Sequence, residues 1–137
     1  MQKENLKTKP LLYKAKGSIK SLFFTFDLPT LIENMKRSHT WDKGGLNAMI
    51  LLKSPKKQIV LTALQGGTEI SSFQSNDSVS FQIIKGKLDF HTQKESLSID
   101  EGQILTLREN IKYSLKSRVE TVFLLTTANS IPRPSKN

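Results

Sequence analysis

The sequence of 137 residues contains no cysteine, and this absence excludes several kinds of chemistry. Without a thiol there is no disulfide, no thiolate nucleophile and no thiolate ligand for a metal. Histidine is almost absent as well, because His39 and His91 are the only two. Two imidazoles from separate segments rarely suffice for a metal site, so we expect both to lie in loops or at the surface.

Long hydrophobic runs are also missing. The longest apolar stretches, such as 48–52 and 121–125, fall far short of the roughly 20 residues that span a bilayer. No succession of basic, apolar and small residues opens the sequence as a secretory signal would. We therefore expect a cytoplasmic protein without a membrane partner. The length and a hydrophobic content of 36% fit one domain with a buried core.

The excess of positive charge lies largely at the start of the chain. The net charge is +9, and residues 1–20 contain six lysines against one acid, Glu4. The remaining residues carry 15 basic and 11 acidic side chains. No stretch alternates aromatic with basic residues, and no zinc-finger spacing is present. Nucleic acid is therefore not an expected partner, although the basic arm leaves contact with an acidic protein open.

The sequence predicts a short helix before the first strands. Pro29 suits a first helical turn, and either Asp27 or Thr30 can cap it. Glu33 stands three residues after Thr30, which is the spacing of a capping box. The prediction is a helix at about 29–36.

From residue 46 onward, short β-prone runs alternate with turn residues. Segments 79–83 and 111–115 alternate apolar and polar side chains, so each strand has one face to bury. Such strands at regular spacing indicate a barrel or jelly roll. The predicted strands are 48–53, 58–65, 70–73, 79–84, 87–91, 97–99, 104–107, 111–115 and 119–126.

These patterns divide the chain into three parts. Residues 1–20 form a basic N-terminal arm, in which the apolar segment 11–13 can pair as an edge strand. Residues 21–128 form the barrel domain with its helix, and residues 129–137 form a flexible tail.

Three glycines stand at fixed intervals in the predicted hairpins, where a turn needs positive φ. Gly67 is followed after five residues by Phe73, then by Ser75, Val79 and, after six more residues, Gly86. Gly102 leads in the same way to Arg108, Asn110, Tyr113 and Ser117. Together with the strands, these spacings resemble the two motifs of small single-domain cupins over about residues 44–127. The resemblance implies an all-β fold, the cupin double-stranded β-helix or jelly-roll barrel, and a homodimer.

The resemblance fails at the metal-binding positions. In cupins, three imidazoles and a carboxylate hold the metal at the positions of Phe73, Ser75, Val79 and Tyr113. Phenylalanine and valine donate no lone pair, serine is a poor ligand, and one tyrosine cannot replace three imidazoles. We therefore expect no metal, no cofactor and no metal-dependent dioxygenase or isomerase activity.

Five side chains in this register would line a mostly apolar cavity with a few polar groups: Phe73, Ser75, Val79, Phe81 and Tyr113. The leading hypothesis is a metal-free domain that binds a small organic molecule there, and no catalytic residue is assigned. One alternative is that these side chains simply fill a small barrel, as in a structural or interaction protein. Another is a metal-independent enzyme that uses Tyr113 or His39 as acid or base. The sequence does not name the ligand.

Overall fold

The computed structural model describes residues 23–38 and 45–129. The predicted arm, segment 11–13, His39 and residues 130–137 lie outside them, so the predictions made for them stay predictions. The described elements are α1 (Leu28–Arg37), β1 (Leu46–Lys53), β2 (Lys57–Leu64), β3 (Glu69–Gln74), β4 (Ser78–Lys85), β5 (Lys87–Thr92), β6 (Ser96–Asp100), β7 (Ile104–Leu107), β8 (Lys112–Ser117) and β9 (Thr121–Ala128).

The strands form two antiparallel sheets. One has the order β1-β2-β9-β4-β7, and the other has the order β3-β8-β5-β6. From β2 onward the chain passes repeatedly between the two sheets, which is the connectivity of a jelly-roll barrel. The all-β prediction with a short N-terminal helix is therefore confirmed. Among the residues described, there is no helix with the length and apolar character needed to cross a membrane.

The space between the sheets is filled by apolar side chains. Phe81 on β4 lies at the centre and is only 1% exposed. Its ring centroid is 4.7 Å from that of Phe90, 5.3 Å from that of Phe123 and 5.9 Å from that of Tyr113. These rings come from β5, β9 and β8, so one residue connects both sheets. The core is completed by Leu64, Val79, Ile83, Leu88, Ile99 and Leu115.

Helix α1 packs on the outer face of the five-stranded sheet. Its buried side chains are Leu31, Ile32 and Met35, which follow helical spacing. They belong to a second cluster with residues of β1, β2 and β9, including Leu61 and Ala63. The helix covers one face of β2 and the barrel core covers the other. The last four residues of this strand, 61–64, are therefore all buried.

The helix begins three residues earlier than a capping box at Thr30 and Glu33 requires. The N-cap is Asp27, and the helix starts at Leu28. Thr30 is therefore the third helical residue, and its hydroxyl donates to the Asp27 carboxylate at 3.0 Å. Glu33 pairs with Arg37 at 3.5 Å instead of reaching back to a cap. The predicted capping box is thus wrong, although the helix itself is present.

The hairpin glycines have the predicted backbone conformation. Gly67, Gly86 and Gly102 have φ angles of 90°, 88° and 85°. At Gly86 a side chain is excluded by space as well, because a Cβ would overlap the carbonyl oxygen of Glu120. The last strand starts at Thr121 and not at the predicted residue 119. The hydroxyl of the buried Thr121 donates to the Lys87 carbonyl at 2.9 Å.

Replacing Leu31 by alanine tests the packing of the helix. Leu31 is 0% exposed, so Leu31→Ala should lower the free energy of unfolding by about 2–5 kcal/mol. Asn34→Ala, on the exposed face of the same helix, is the matched control and should change it by less than about 0.5 kcal/mol. Urea unfolding followed by far-UV circular dichroism measures both. Equal effects of the two substitutions would contradict this packing.

Candidate ligand-binding cleft

A cleft with a volume of about 970 Å³ opens at one end of the barrel, and we call it the mouth cleft. Its walls come from the end of β3, the β5–β6 turn at 93–95, the β7–β8 loop at 108–111 and the first half of β8. These segments are far apart in the sequence, and the antiparallel pairing of the strands brings them to the same end.

The β7–β8 loop is tied to the end of β3 by hydrogen bonds. Asn110 has a left-handed backbone with φ of 61°, and its N–H donates to the Ser75 carbonyl at 2.7 Å. The Asn110 carbonyl accepts from Gln74 Nε2 at 3.1 Å. Asparagine tolerates this conformation better than most residues. These bonds fix one wall of the mouth cleft.

The β5–β6 turn forms the facing wall and is held by Thr92. The Thr92 hydroxyl donates to the Glu95 carbonyl at 3.2 Å and accepts from the backbone N–H groups of Lys94 and Glu95. A second bond joins the Thr92 N–H to the Glu95 carbonyl at 2.8 Å. The turn therefore presents Lys94 and Glu95 from a well-defined backbone.

Tyr113 combines a buried ring with a hydroxyl that makes no hydrogen bond to any described residue. It is 7% exposed, and its ring lies 5.4 Å from that of Phe73. Within residues 23–38 and 45–129, no hydrogen bond is made by its hydroxyl, and Asp89 Oδ2 is the only buried side-chain polar atom without a hydrogen-bond partner. The phenol oxygen is therefore not sealed in the core, and Tyr113 lines the mouth cleft. Burial raises the pKa of Tyr113, so at neutral pH the phenol is a hydrogen-bond donor.

Phe73 reaches Tyr113 because of a β-bulge. Ile70 pairs with Leu115 and Phe73 pairs with Tyr113, so three steps on β3 match two on β8. Strict alternation from the inward-facing Ile70 would turn Phe73 outward, and the bulge restores its inward direction. Phe73 remains 39% exposed beside the Tyr113 ring.

The other predicted pocket residues lie in two different environments. Val79 and Phe81 are 4% and 1% exposed, inside the packed core. Ser75 stands after β3, and its hydroxyl accepts from the Asp77 N–H at 3.0 Å. The structure thus brings Phe73, Phe81 and Tyr113 together, and of the five predicted residues Tyr113 lines the mouth cleft. Ligand contact by these five residues stays a prediction.

The cations that line this cleft were not predicted from the sequence. Lys94, Arg108 and Lys112 come from the β5–β6 turn, the β7–β8 loop and β8, and all three line it. No sequence signal groups them, because single lysines and arginines near turns ordinarily indicate solvated positions. His91 also lines the cleft; it is exposed as expected, with Nδ1 2.8 Å from Ser96 Oγ.

The strand arrangement of this barrel is that of the cupins. A cupin superfamily protein from Desulfitobacterium hafniense has a TM-score of 0.60 and 15% identity, over 62% of this chain and 78% of that one. A conserved protein of unknown function from Streptococcus pyogenes has a TM-score of 0.60 and 20% identity, over 64% of this chain and 76% of that one. No family model and no curated protein matches. The predicted cupin fold is therefore confirmed.

Some structures with this fold are enzymes. A variant of salicylate 1,2-dioxygenase from Pseudoaminobacter salicylatoxidans has a TM-score of 0.70 at 12% identity, over 82% of this chain. This chain spans only 37% of that protein. At such identity the likeness shows a shared fold and carries no activity over to this chain.

The residues at the cupin metal positions do not fit a metal ion. Phe73 and Tyr113 stack on each other, and Val79 lies in the apolar core, so these positions form a packed hydrophobic surface. The Ser75 hydroxyl is engaged in its own turn. In the part of the chain that the structure describes, no three His, Asp or Glu side chains converge on one point. A divalent cation needs such converging donors.

A buried carboxylate lies on the outer face of the four-stranded sheet. Asp89 is 6% exposed, and its Oδ1 accepts from the Ser98 hydroxyl at 2.5 Å. Arg118 Nε is 2.9 Å from Oδ2 and pairs with it by charge. The hydrogen bond from Ser98 is the largest influence on the pKa of Asp89 and lowers it. Burial raises this pKa, and the positive charge of Arg118 lowers it further. The charged form is thus stabilised by folding.

Replacing Asp89 by asparagine should change how stability depends on pH. Because folding lowers the pKa from its ordinary value of 3.8, the contribution of Asp89 is present above that value and is lost as the pH falls through the folded-state pKa. Asp89→Asn should lower the free energy of unfolding at pH 7 by on the order of 1–2 kcal/mol. This difference should shrink as the pH falls below 3.8.

Urea unfolding at pH 7 and in acid measures this difference. The more exposed Asp100→Asn is the control and should follow the wild-type profile closely. An Asp89→Asn deficit that stays constant down to pH 2 would contradict the role of the charge.

Proposed function

We propose that this protein binds a small organic molecule in the mouth cleft without a metal, and that the Tyr113 hydroxyl orients it. The observation that carries this proposal is that Tyr113 has a fixed ring and a hydroxyl without a hydrogen-bond partner among the described residues. Its ring is held by three aromatic neighbours, while its hydroxyl has no partner among the residues described. A polar group in such a place is satisfied by water or by a ligand. A molecule that accepts a hydrogen bond would replace that water at little cost.

The dimensions of the mouth cleft support the same function. Its volume of about 970 Å³ lies within the range of small-molecule sites, which is about 300–1,000 Å³. Leu107 and Ile111 supply apolar contact beside the Tyr113 ring. Because Phe81 and its neighbours fill the barrel interior, a ligand would rest against Tyr113 at the mouth cleft and would not enter the centre.

The side chains at the cupin metal positions favour ligand binding over the chemistry of metal-dependent cupins. Phe73, Val79 and Tyr113 cannot supply the imidazole and carboxylate donors that such chemistry needs. An organic ligand requires only shape, apolar surface and a few polar contacts. Cytoplasmic localisation and the homodimer are further parts of the proposal, and no described contact carries them.

Removing the Tyr113 hydroxyl is the direct test. A library of small organic molecules is screened against the full chain by ligand-observed NMR, and hits are titrated into wild type and Tyr113→Phe. Hits should bind Tyr113→Phe about three- to tenfold more weakly, since a neutral hydrogen bond is lost. Its free energy of unfolding should change by less than about 0.5 kcal/mol, because no described residue loses a partner.

Two further measurements complete the test. Thr126→Val removes a hydroxyl from β9, outside the mouth cleft, and should leave binding unchanged. Native mass spectrometry of the untagged protein counts protomers and detects any molecule retained during purification. Hits that bind Tyr113→Phe as tightly as wild type would refute the role of the Tyr113 hydroxyl. The absence of any hit would refute the proposal as a whole and favour a purely structural barrel.

A further inference from the structure

Resting on the proposed binding function, we infer that the mouth cleft selects small organic molecules that carry a negatively charged group, either a carboxylate or a phosphate. Lys94, Arg108 and Lys112 would provide this selection. Their positive charges come from three separate elements and line one cleft.

Lys94, Arg108 and Lys112 are three of the eight described cations without an ion-pair partner among the described residues, and they differ from the other five in lining one cleft. The four described cations that have such a partner are Lys36 with Glu120, Arg37 with Glu33, Lys87 with Asp100 and Arg118 with Asp89. Across residues 23–38 and 45–129, no carboxylate lies at ion-pair distance from Lys94, Arg108 or Lys112. Their charge is therefore available to an incoming anion.

The positive charge of the mouth cleft is local. The described residues contain 12 basic and 10 acidic side chains, so this part of the protein is close to neutral. Of the residues that line the cleft and that the structure describes, Glu95 is the only acid. Its charge offsets one of the three cations, and a net positive charge remains. A cleft with walls of one net sign raises the local concentration of oppositely charged ligands.

The groups beside these cations suit an anionic ligand with an apolar body. The Tyr113 phenol can donate to an anionic oxygen, and such charge-assisted hydrogen bonds are stronger than neutral ones. The Arg108 guanidinium is planar and matches the paired oxygens of a carboxylate or a phosphate. Leu107, Ile111 and the Tyr113 ring contact the remainder of the molecule.

The charge requirement is tested with three probes of similar shape: benzoate, phenyl phosphate and the neutral benzamide. Each is titrated into the ¹⁵N-labelled full chain at low salt, and the amide shifts of residues 92–95 and 107–113 are followed. Both anions should bind at least about fivefold more tightly than benzamide, and added salt should reduce this advantage. The tighter of the two anions identifies the charged group.

Substitutions that remove one charge at a time test whether positive charge in the mouth cleft strengthens benzoate binding and negative charge weakens it. Lys94→Met and Arg108→Met should each weaken benzoate binding about two- to fivefold, as expected for partly exposed ion pairs. Glu95→Gln should strengthen it by a similar factor. Lys85→Met, exposed at the opposite end of β4 and outside the mouth cleft, should have no effect. Benzamide binding should be the same in all four variants.

The outcomes separate this inference from the proposed function. If benzamide binds as tightly as benzoate and the variants leave both unchanged, the selection for anions is wrong while small-molecule binding stands. If none of the probes shifts the amides of the mouth cleft, the inference fails, and the wider library decides the proposed function. Tighter benzoate binding with the opposite responses to Lys94→Met and Glu95→Gln would establish the inference.

Discussion

The contact of Phe81 with three rings is the constraint on which the rest of the barrel depends. Phe81 is 1% exposed and meets Phe90, Phe123 and Tyr113 from the two sheets. Aromatic pairs at such distances add to the stability that apolar burial already supplies. Because the interior of a protein is close-packed, this cluster sets how near the sheets approach. It also fixes the Tyr113 ring and hence the floor of the mouth cleft.

Under the proposed function, Tyr113 therefore serves the fold with its ring and ligand binding with its hydroxyl. The ring is stabilising because it is buried against Phe73, Phe81 and Phe90. The hydroxyl adds little to stability, since it has no partner among the described residues. The two parts can be separated by Tyr113→Phe, which keeps the ring and removes the donor. A binding group placed on a rigid strand in this way is held in position before a ligand arrives.

The sequence predicted the fold better than the site, and particular residues show why. Alternation around Val79 and Ile83 and positive φ at Gly86 are local signals that survive folding. The capping box failed because the helix begins at Leu28, a shift that pattern alone does not resolve. Whether the barrel is filled depends on the packing of Phe81, which periodicity does not encode. The cations of the mouth cleft meet only through tertiary structure, so no spacing in the sequence joins Lys94 to Arg108.

The location of positive charge differs here from that in a barrel whose imidazoles hold a metal. A metal bound by imidazoles concentrates charge at one interior point, where solvent and salt screen it weakly. Here Phe73, Val79 and Tyr113 make that interior apolar, and the unpaired cations of the cleft stand at its opening. Charge in that position is screened by salt more strongly than charge in the interior. Under the proposed function, this arrangement would attract an anion to the mouth cleft, and the apolar surface beside Tyr113 would then discriminate among anions by shape.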